Sequence, residues 1–379
     1  MQKRIRIVSV SIVLEILLIG IIVINNNSNS KYSFTQDGIK YALTLDGNKI
    51  TSFPSKGMYK AQVTCVGADG KWLYDEWKLA IENITSDDVT CDINFSTITK
   101  TSLNEYIISL AGTTQGTGQV VNENGYRYEG KNLNNYIWFN NEYWRIIGVF
   151  DSASHGVSGK NLVKIIRADV LDGLAWNKSN TNDWTASSLK SLLNGAYYNA
   201  QDGTNSGYCY GYSTTATANC DYTKRGIQSG YRGMIANVTW HLGGYSSTSA
   251  TTSALYGYER GTTVYSGRPT STTGYIGLMY PSDYGYSVLS SSCARTTNLG
   301  SYNSANCAGQ SWLYGKGYEW TLTPYSSYSD SVFILRYNGY VHGSTAINGC
   351  GSRPVLYLDA SVYKIDGDGS LNNPYIVGM

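Results

Sequence analysis

The amino-acid sequence predicts an α+β protein in which an N-terminal transmembrane helix and a small all-β sandwich precede a larger domain. Three observations support this prediction: an apolar run after a basic start, short alternating segments up to about residue 100, and one clear helical pattern among many strand-like segments. With 42% apolar residues, 15% charged residues, 41 Gly and 34 Tyr, the chain has the composition of a β-rich, turn-rich globular protein.

The first segment, residues 1–30, is predicted to anchor the protein in the cell membrane by a single pass. Basic residues precede about eighteen mostly apolar residues, a length that just spans a bilayer. Because basic flanks stay in the cytoplasm, the following domains are expected to be extracellular. The stretch around Glu15 resembles the start of type IV pilin-like segments, although Val10 stands where that family has Gly, so a subunit of a pilus-like fibre is an alternative.

Charge argues against a nucleic-acid partner. The formal net charge of +2 comes from the N-terminal segment, and the rest of the chain carries equal numbers of basic and acidic residues. Nucleic-acid binding depends on a clustered excess of Lys and Arg, which this body lacks.

Residues 31–102 are predicted to form the small β-sandwich, which would act as a spacer domain. The segments "YALTLDG", "YKAQVTC", "WKLAIENI" and "CDINFSTI" each alternate and end at turn residues, as strands do. Residues 103–132 are rich in Gly, Thr and Asn, and we predict a linker there.

Residues 133–379 form the predicted larger domain. Asn140 and Asn141 lie between two aromatic-rich runs and predict a tight hairpin turn, and "LVKIIRADV" predicts another strand. A helix is predicted over "SSLKSLLNGAYY", capped by Ser187 or Ser188. Its apolar residues recur with helical spacing at Leu189, Leu192, Leu193 and Tyr197.

Seven cysteines allow three disulfides, which suits an exported protein. The unpaired Cys350 is either buried and inert or exposed and reactive. The sequence-adjacent pairs are Cys65 with Cys91, Cys209 with Cys220, and Cys293 with Cys307.

A second hairpin is predicted in "VFILRYNGYVHGSTA", where Asn338-Gly339 is a strong signal for a two-residue turn. That turn would place Tyr337 opposite Tyr340 and Leu335 opposite His342. Alternation then directs one set of side chains to the core and the other outward. The expected core set is Val332, Ile334 and Val341, and the expected outward set is Tyr337, Tyr340 and His342.

Four segments carry a resemblance to a known group of proteins. "EWTLTPYSSYSDSVFILRYNGYV", "IGLMYPSDYGYS", "GSRPVLYLDASV" and "GDGSLNNPYIV" resemble bacterial and phage surface proteins with a C-type lectin-like fold, related to the formylglycine-generating-enzyme group. The similarity covers roughly residues 122–379 and implies a C-type lectin-like ligand-binding domain. Some members of the group are variable proteins of diversity-generating retroelements.

The resemblance to variable proteins implies a ligand-binding face near the C-terminus. Tyr with Ser, Gly and Asn is also the composition of antibody paratopes, because Tyr supplies stiff contact area and small polar residues adapt around it. The implied face consists of Tyr325, Tyr328, Asp330, Arg336, Tyr337, Asn338, Tyr340, His342 and Asn348.

The sequence predicts a binding protein rather than an enzyme. It contains only three histidines and none of the common metalloprotease, hydrolase or phosphate-binding motifs. A formylglycine-generating type of enzyme remains an alternative that would require a reactive thiol at Cys350. The "DGDGS" segment at residues 366–370 lacks a complete calcium-binding loop, so no metal and no cofactor are expected.

These observations together predict a receptor-like or adhesin-like protein of the cell surface. It would recognise an extracellular protein or glycan by burying Tyr side chains, with polar contacts at the rim.

Overall fold

The computed structural model describes residues 31–36, 38–74, 76–217, 219–303, 305–315 and 317–379. The chain forms two compact units, with the boundary between Lys100 and Thr101. Strand accounts for 38% and helix for 14%, with several sheets and a half-barrel. The protein is therefore mostly β, and the predicted α+β class with a C-type lectin-like domain is wrong.

The first unit consists of β-strands. Four strands lie in the order β1-β2-β7-β4, β3 pairs with β2, and β5 and β6 form a separate hairpin. The four strands expected from sequence alternation are confirmed as β2, β4, β6 and β7. The strand bounds are β1 (Phe34–Gln36), β2 (Ile39–Leu45), β3 (Asn48–Ile50), β4 (Tyr59–Val66), β5 (Asp69–Leu73), β6 (Lys78–Glu82) and β7 (Thr90–Thr97).

A disulfide joins the two longest strands of this unit. Cys65 on β4 lies directly opposite Cys91 on β7, and their Cα atoms are 4.1 Å apart. Aromatic side chains fill the adjacent core, where Trp72 packs edge-on against Phe95 at 5.0 Å between ring centroids. The Cys65–Cys91 pairing is confirmed, as are the two disulfides of the second unit, Cys209–Cys220 and Cys293–Cys307.

The second unit contains twenty strands in the described ranges. Their bounds are β8 (Thr101–Ser102), β9 (Thr114–Gln115), β10 (Gly118–Asn122), β11 (Tyr126–Glu129), β12 (Tyr136–Phe139), β13 (Glu142–Phe150), β14 (Leu162–Arg167), β15 (Leu171–Ala175), β16 (Tyr210–Tyr212), β17 (Thr215–Ala216), β18 (Val238–His241), β19 (Ser271–Gly274), β20 (Ile276–Gly277), β21 (Glu319–Pro324), β22 (Ser331–Leu335), β23 (Val341–Thr345), β24 (Gly349–Ser352), β25 (Val355–Leu358), β26 (Tyr363–Asp366) and β27 (Tyr375–Gly378).

The helices of the second unit are short, which explains the low helix content. The described α-helices have four to eight residues each. Their bounds are α1 (Leu103–Ser109), α2 (Ser152–His155), α3 (Ser188–Leu192), α4 (Ser229–Arg232), α5 (Thr252–Glu259) and α6 (Pro281–Ser287). Short helical turns of other types occur at Trp184–Ala186, Leu193–Tyr197, Leu299–Ser301 and Ala308–Gln310.

Two sheets organise this unit. The larger has eleven strands with the main order β20-β25-β14-β13-β12-β27-β26-β8, and β9, β10 and β11 extend it from β13. The smaller has the order β15-β24-β21-β22-β23. Residues 103–132, expected to be a linker, instead hold α1 and the strands β9 to β11, because these strands find hydrogen-bonding partners in the larger sheet.

Two local predictions are confirmed. Asn140 and Asn141 both have a φ of 58° in the turn between β12 and β13. Ser187 caps α3, where its hydroxyl accepts a hydrogen bond from the amide of Lys190 at 3.2 Å. Beyond Leu192 the chain continues as a wider helical turn up to Tyr197.

The second predicted hairpin forms, but with a different turn. The amide of Arg336 donates to the carbonyl of Tyr340, and Gly339 has a φ of +96°, which gives a three-residue loop instead of the predicted two-residue turn. The register therefore shifts by one residue, so that Leu335 pairs with Val341 and Ile334 with His342. Both faces of β22 are buried, so alternation does not separate a core side from an outward side on this strand.

The predicted transmembrane helix, residues 1–30, lies outside the described residues. Among the helices of the described ranges, none combines the length and the apolar character needed to cross a bilayer. The predicted single-pass anchor and the cell-membrane localisation based on it are not supported and are withdrawn.

We expect replacement of Cys65 and Cys91 by Ala to destabilise the first unit by roughly 3 kcal/mol, because the unfolded chain is no longer constrained by a loop with a sequence separation of 26. Hydrogen exchange measured by mass spectrometry should rise in β4 and β7. Peptides from the second unit serve as the internal control, and unchanged exchange in β4 and β7 would contradict the expectation.

Candidate functional site

The structure divides the nine residues of the predicted ligand face between two ends of β22. Ser331 and Leu335, which bound this strand, are about 13 Å apart along it. The group near Ser331 comprises Tyr325, Tyr328, Asp330 and Asn348. The group near Leu335 comprises Arg336, Tyr337, Asn338, Tyr340 and His342.

Four tyrosines near Ser331 form a continuous group, which we call the tyrosine face: Tyr245, Tyr258, Tyr325 and Tyr328. The rings of Tyr245 and Tyr258 are stacked at 4.0 Å, and those of Tyr325 and Tyr328 are 5.2 Å apart. A backbone bridge between Tyr245 and Tyr325 joins the two pairs. Burial raises the pKa of Tyr325, and the nearby phenols of Tyr328 and Tyr245 raise it further by smaller amounts.

The tyrosine face lies partly on the core and partly in solvent. Tyr325 stacks on the buried ring of Phe333 at 5.0 Å, which fixes its position from below. Tyr328 is 57% exposed, so most of its ring is available to a partner. A ring held on one side and open on the other loses little conformational freedom when it binds.

A buried amide holds the loop that carries Tyr325 and Tyr328. Asn182 is 2% exposed, and its Nδ2 donates to the carbonyls of Tyr325, Tyr328 and Ser331 at 3.2, 2.8 and 3.1 Å. The Nε of Arg268 approaches the Oδ1 of Asn182 at 3.4 Å. The two amide hydrogens of one side chain are therefore shared among three loop carbonyls, which fixes the backbone without using the exposed rings.

Close backbone approach also shapes this face. A Cβ atom at Gly244 would collide with the carbonyl oxygen of Pro324, at the start of the same loop. Only glycine lets the chain before Tyr245 come so near, and the amide of Ser326 then donates to the carbonyl of Tyr245 at 2.9 Å.

Polar groups surround the tyrosine face. The Nδ2 of Asn180 lies 3.3 Å from the Oδ2 of Asp330, and Arg268 lies 3.8 Å from the carboxylate of Asp183. The Nδ2 of Asn348 donates to the hydroxyl of Ser344 at 2.9 Å. The tyrosine face thus combines exposed aromatic rings with neutral, acidic and basic side chains that can form hydrogen bonds.

The other end of β22 shows fewer convergent groups. Tyr337 is 56% exposed and contacts Tyr318 at 5.4 Å between ring centroids, and the hydroxyl of Tyr314 donates to the carbonyl of Tyr337 at 2.5 Å. His342 is exposed, and Tyr340 is half-buried. The predicted outward position is therefore found for Tyr337 and His342 and only in part for Tyr340.

Five members of the site were not predicted from the sequence: Asn180, Asn182, Tyr245, Tyr258 and Arg268. All five lie 57 or more residues before Tyr325 in the chain, in segments without a recognisable motif. The available signal was the Tyr-rich composition of long loops, which marks a region but selects no residue.

A second group of functional interest is a buried charged cluster: Arg127, Lys164, Glu259, Arg260 and Asp283. The carboxylate of Asp283 accepts from Arg127 at 3.0 Å and from Lys164 at 2.5 Å. Glu259 accepts from the amide of Ser282 at 2.9 Å and also from its hydroxyl, and it lies 3.4 Å from Arg260.

Burial dominates the titration of this cluster. It raises the pKa of Glu259 to about 7 and lowers the pKa of Lys164 to about 8. Burial also opposes ionisation of Asp283, but the nearby Lys164 and Arg127 outweigh it, so the pKa of Asp283 lies below its ordinary value.

Thiol and metal chemistry find little support in the described residues. Cys350 is unpaired and buried, and burial raises its pKa to about 12, so its thiol is protonated at neutral pH. The described ranges bring no three His, Cys, Asp or Glu side chains together in a way that could hold a metal ion.

The chain matches no known protein-family model, no curated protein and no solved structure. The resemblance of four segments to bacterial and phage surface proteins therefore stays a prediction from sequence, without the fold class it implied, and the function has to be inferred from the site itself.

We expect Asn182→Ala to loosen the loop between β21 and β22, because three carbonyls lose their common donor. The expected loss of stability is roughly 1 to 3 kcal/mol, and amide exchange in residues 325–331 should accelerate. The matched control is Asn199→Ala, which removes a single bond to the carbonyl of Gly195. Equal exchange of the loop in both variants would contradict the assigned anchoring role.

We expect Glu259→Gln to flatten the pH dependence of stability. The folded pKa of about 7 exceeds the ordinary 4.5, so the folded protein loses stability as pH rises from about 4.5 through 7, by roughly 3 kcal/mol at most. Gln cannot ionise and escapes this loss. Urea unfolding at pH values between 5 and 8 would give the free energy of unfolding at each pH, and Glu82→Gln at an exposed position is the control. Identical slopes of this free energy against pH for wild type and Glu259→Gln would refute the assignment.

Proposed function

We propose that this protein is a recognition protein that binds a protein or glycan partner through the tyrosine face. The observation that carries the proposal is the combination of an exposed Tyr328 with a loop backbone held by the buried Asn182. Such an arrangement presents aromatic contact area at low entropic cost, as binding surfaces of the paratope type do.

The surroundings of the tyrosine face support this function. Tyr265 is 37% exposed and lies beside Arg268, which also contacts the carbonyl of Ser329 on the loop. Tyr and Arg are the residue types most often responsible for binding energy at interfaces. Three disulfides fit an oxidising environment outside the reducing interior of a cell, where such partners are found.

Properties of Cys350 favour binding over the formylglycine-generating alternative. A thiol with a pKa of about 12 is a poor nucleophile at neutral pH, and in the described residues it has no disulfide partner. Adenine-directed diversification of the codons for this surface stays a prediction from sequence. A near-repeat of the 3′ coding region that differs at adenines, beside a reverse-transcriptase gene, would establish it.

The proposal is tested by two tyrosine variants at opposite ends of β22. Partners are first sought on glycan arrays and arrays of cell-surface proteins. We then expect Tyr328→Ala to weaken binding to the captured partner roughly tenfold or more, because the most exposed aromatic contact of the tyrosine face is lost.

Tyr337→Ala is the matched control, since Tyr337 and Tyr328 are almost equally exposed, at 56% and 57%. Binding should survive this change. If Tyr337→Ala abolishes binding and Tyr328→Ala does not, the tyrosine face is the wrong surface.

A further inference from the structure

The buried charged cluster contains more positive than negative charge. It has three basic side chains, Arg127, Lys164 and Arg260, and two carboxylates, Asp283 and Glu259. Four of these five side chains are at most 1% exposed. Arg260, the fifth, is 14% exposed. Uncompensated charge in a low-dielectric interior is costly, so the excess calls for a compensating group.

The carboxylate oxygens of the cluster all accept hydrogen bonds already, whereas some of its donors have no acceptor. Both oxygens of Asp283 accept bonds, from Arg127, Lys164 and the amide of Tyr280, and both oxygens of Glu259 accept bonds from Ser282. Among the described residues, the Nη2 of Arg127, the Nε of Arg260 and the hydroxyl of Tyr357 are buried without a hydrogen-bond partner. Such groups in a native protein need an explanation, and a bound water or ion is one of those that apply.

Shared neighbours place these unpartnered donors in one region of the interior. The guanidinium carbons of Arg127 and Arg260 are 5.7 and 3.5 Å from the centroid of one ring, that of Tyr256. Lys164, bound to the same carboxylate as Arg127, has its Nζ 5.7 Å from the ring centroid of Tyr357. Burial and the charge of Asp283 raise the pKa of the Tyr357 phenol, and the charges of Arg260 and Arg127 lower it, so all three charged groups act on this hydroxyl.

We propose that this cluster binds a small monovalent anion of the size of chloride, held by the Nη2 of Arg127, the Nε of Arg260 and the hydroxyl of Tyr357. With Glu259 and Lys164 both ionised, a single negative charge balances the excess of one positive charge, and it accepts from all three donors. A water molecule has two lone pairs, so it could accept only two of these bonds, and it would leave the charge uncompensated.

The position of the site gives the anion a structural role, independent of the tyrosine face. Arg127 belongs to β11, Lys164 to β14 and Tyr357 to β25 of the larger sheet, while Arg260 follows α5. An anion shared by Arg127, Arg260 and Tyr357 would join the sheet to the segment after α5. Occupancy should therefore appear as a gain in stability.

The test compares thermal unfolding in sodium gluconate and sodium chloride at equal ionic strength. We expect the midpoint temperature to rise with chloride and to saturate, and sodium bromide to act in the same way. Crystals grown in bromide should show an anomalous scattering peak between Arg127, Arg260 and Tyr357. Equal midpoints in gluconate and chloride, or a bromide-free cluster, would overturn the proposal.

A conservative variant tests the assigned ligand. Tyr357→Phe keeps the ring contacts with Phe150 and Trp240 but removes the hydroxyl, so half-saturation should need roughly tenfold more chloride. Tyr197→Phe is the control, because it removes a buried, unpartnered hydroxyl outside the cluster and should leave the chloride response unchanged. An unaltered response in Tyr357→Phe would refute the proposed coordination.

Discussion

The carboxylate of Asp283 is the contact on which the second unit depends most. It lies in the first turn of α6 and receives bonds from Arg127 on β11 and Lys164 on β14, so it ties a helix to two strands of the larger sheet. It also accepts from the amide of Tyr280 and so completes the cap of its own helix. Removal of this one acceptor would leave two buried cations without their shared partner, which is far more costly than the loss of a surface ion pair.

The effect of this contact extends to the smaller sheet. Tyr284, next to Asp283 on α6, donates its hydroxyl to the carbonyl of Gly339 in the turn between β22 and β23. The amide of Leu322 on β21 donates to the carbonyl of Met279, just before α6. Two strands that lead to the exposed tyrosines are thus positioned by a helix that buried charge holds in place, which links the stability of the core to the geometry of the surface.

The sequence predicted local structure better than architecture. Alternation located the strands of the first unit, and the Ser187 cap with its leucine spacing located α3, because these signals involve neighbours in the chain. The hairpin at Asn338-Gly339 was expected, but its register was wrong, since two-residue and three-residue turns both favour glycine. Asn182 could not have been found, because its three acceptors lie 143 to 149 residues away.

The order of the cysteines has a consequence for biosynthesis. The bridges join residues with sequence separations of 26, 11 and 14, and no bridge encloses or interleaves with another. In an oxidising compartment, each pair can therefore form its bond as soon as its own segment is present, before the next cysteine follows. Cys350 comes last and is buried in the folded chain, so it has little opportunity to attack a completed bridge. A chain with this arrangement can mature from its N-terminal to its C-terminal end with few mispaired intermediates and little need for isomerase.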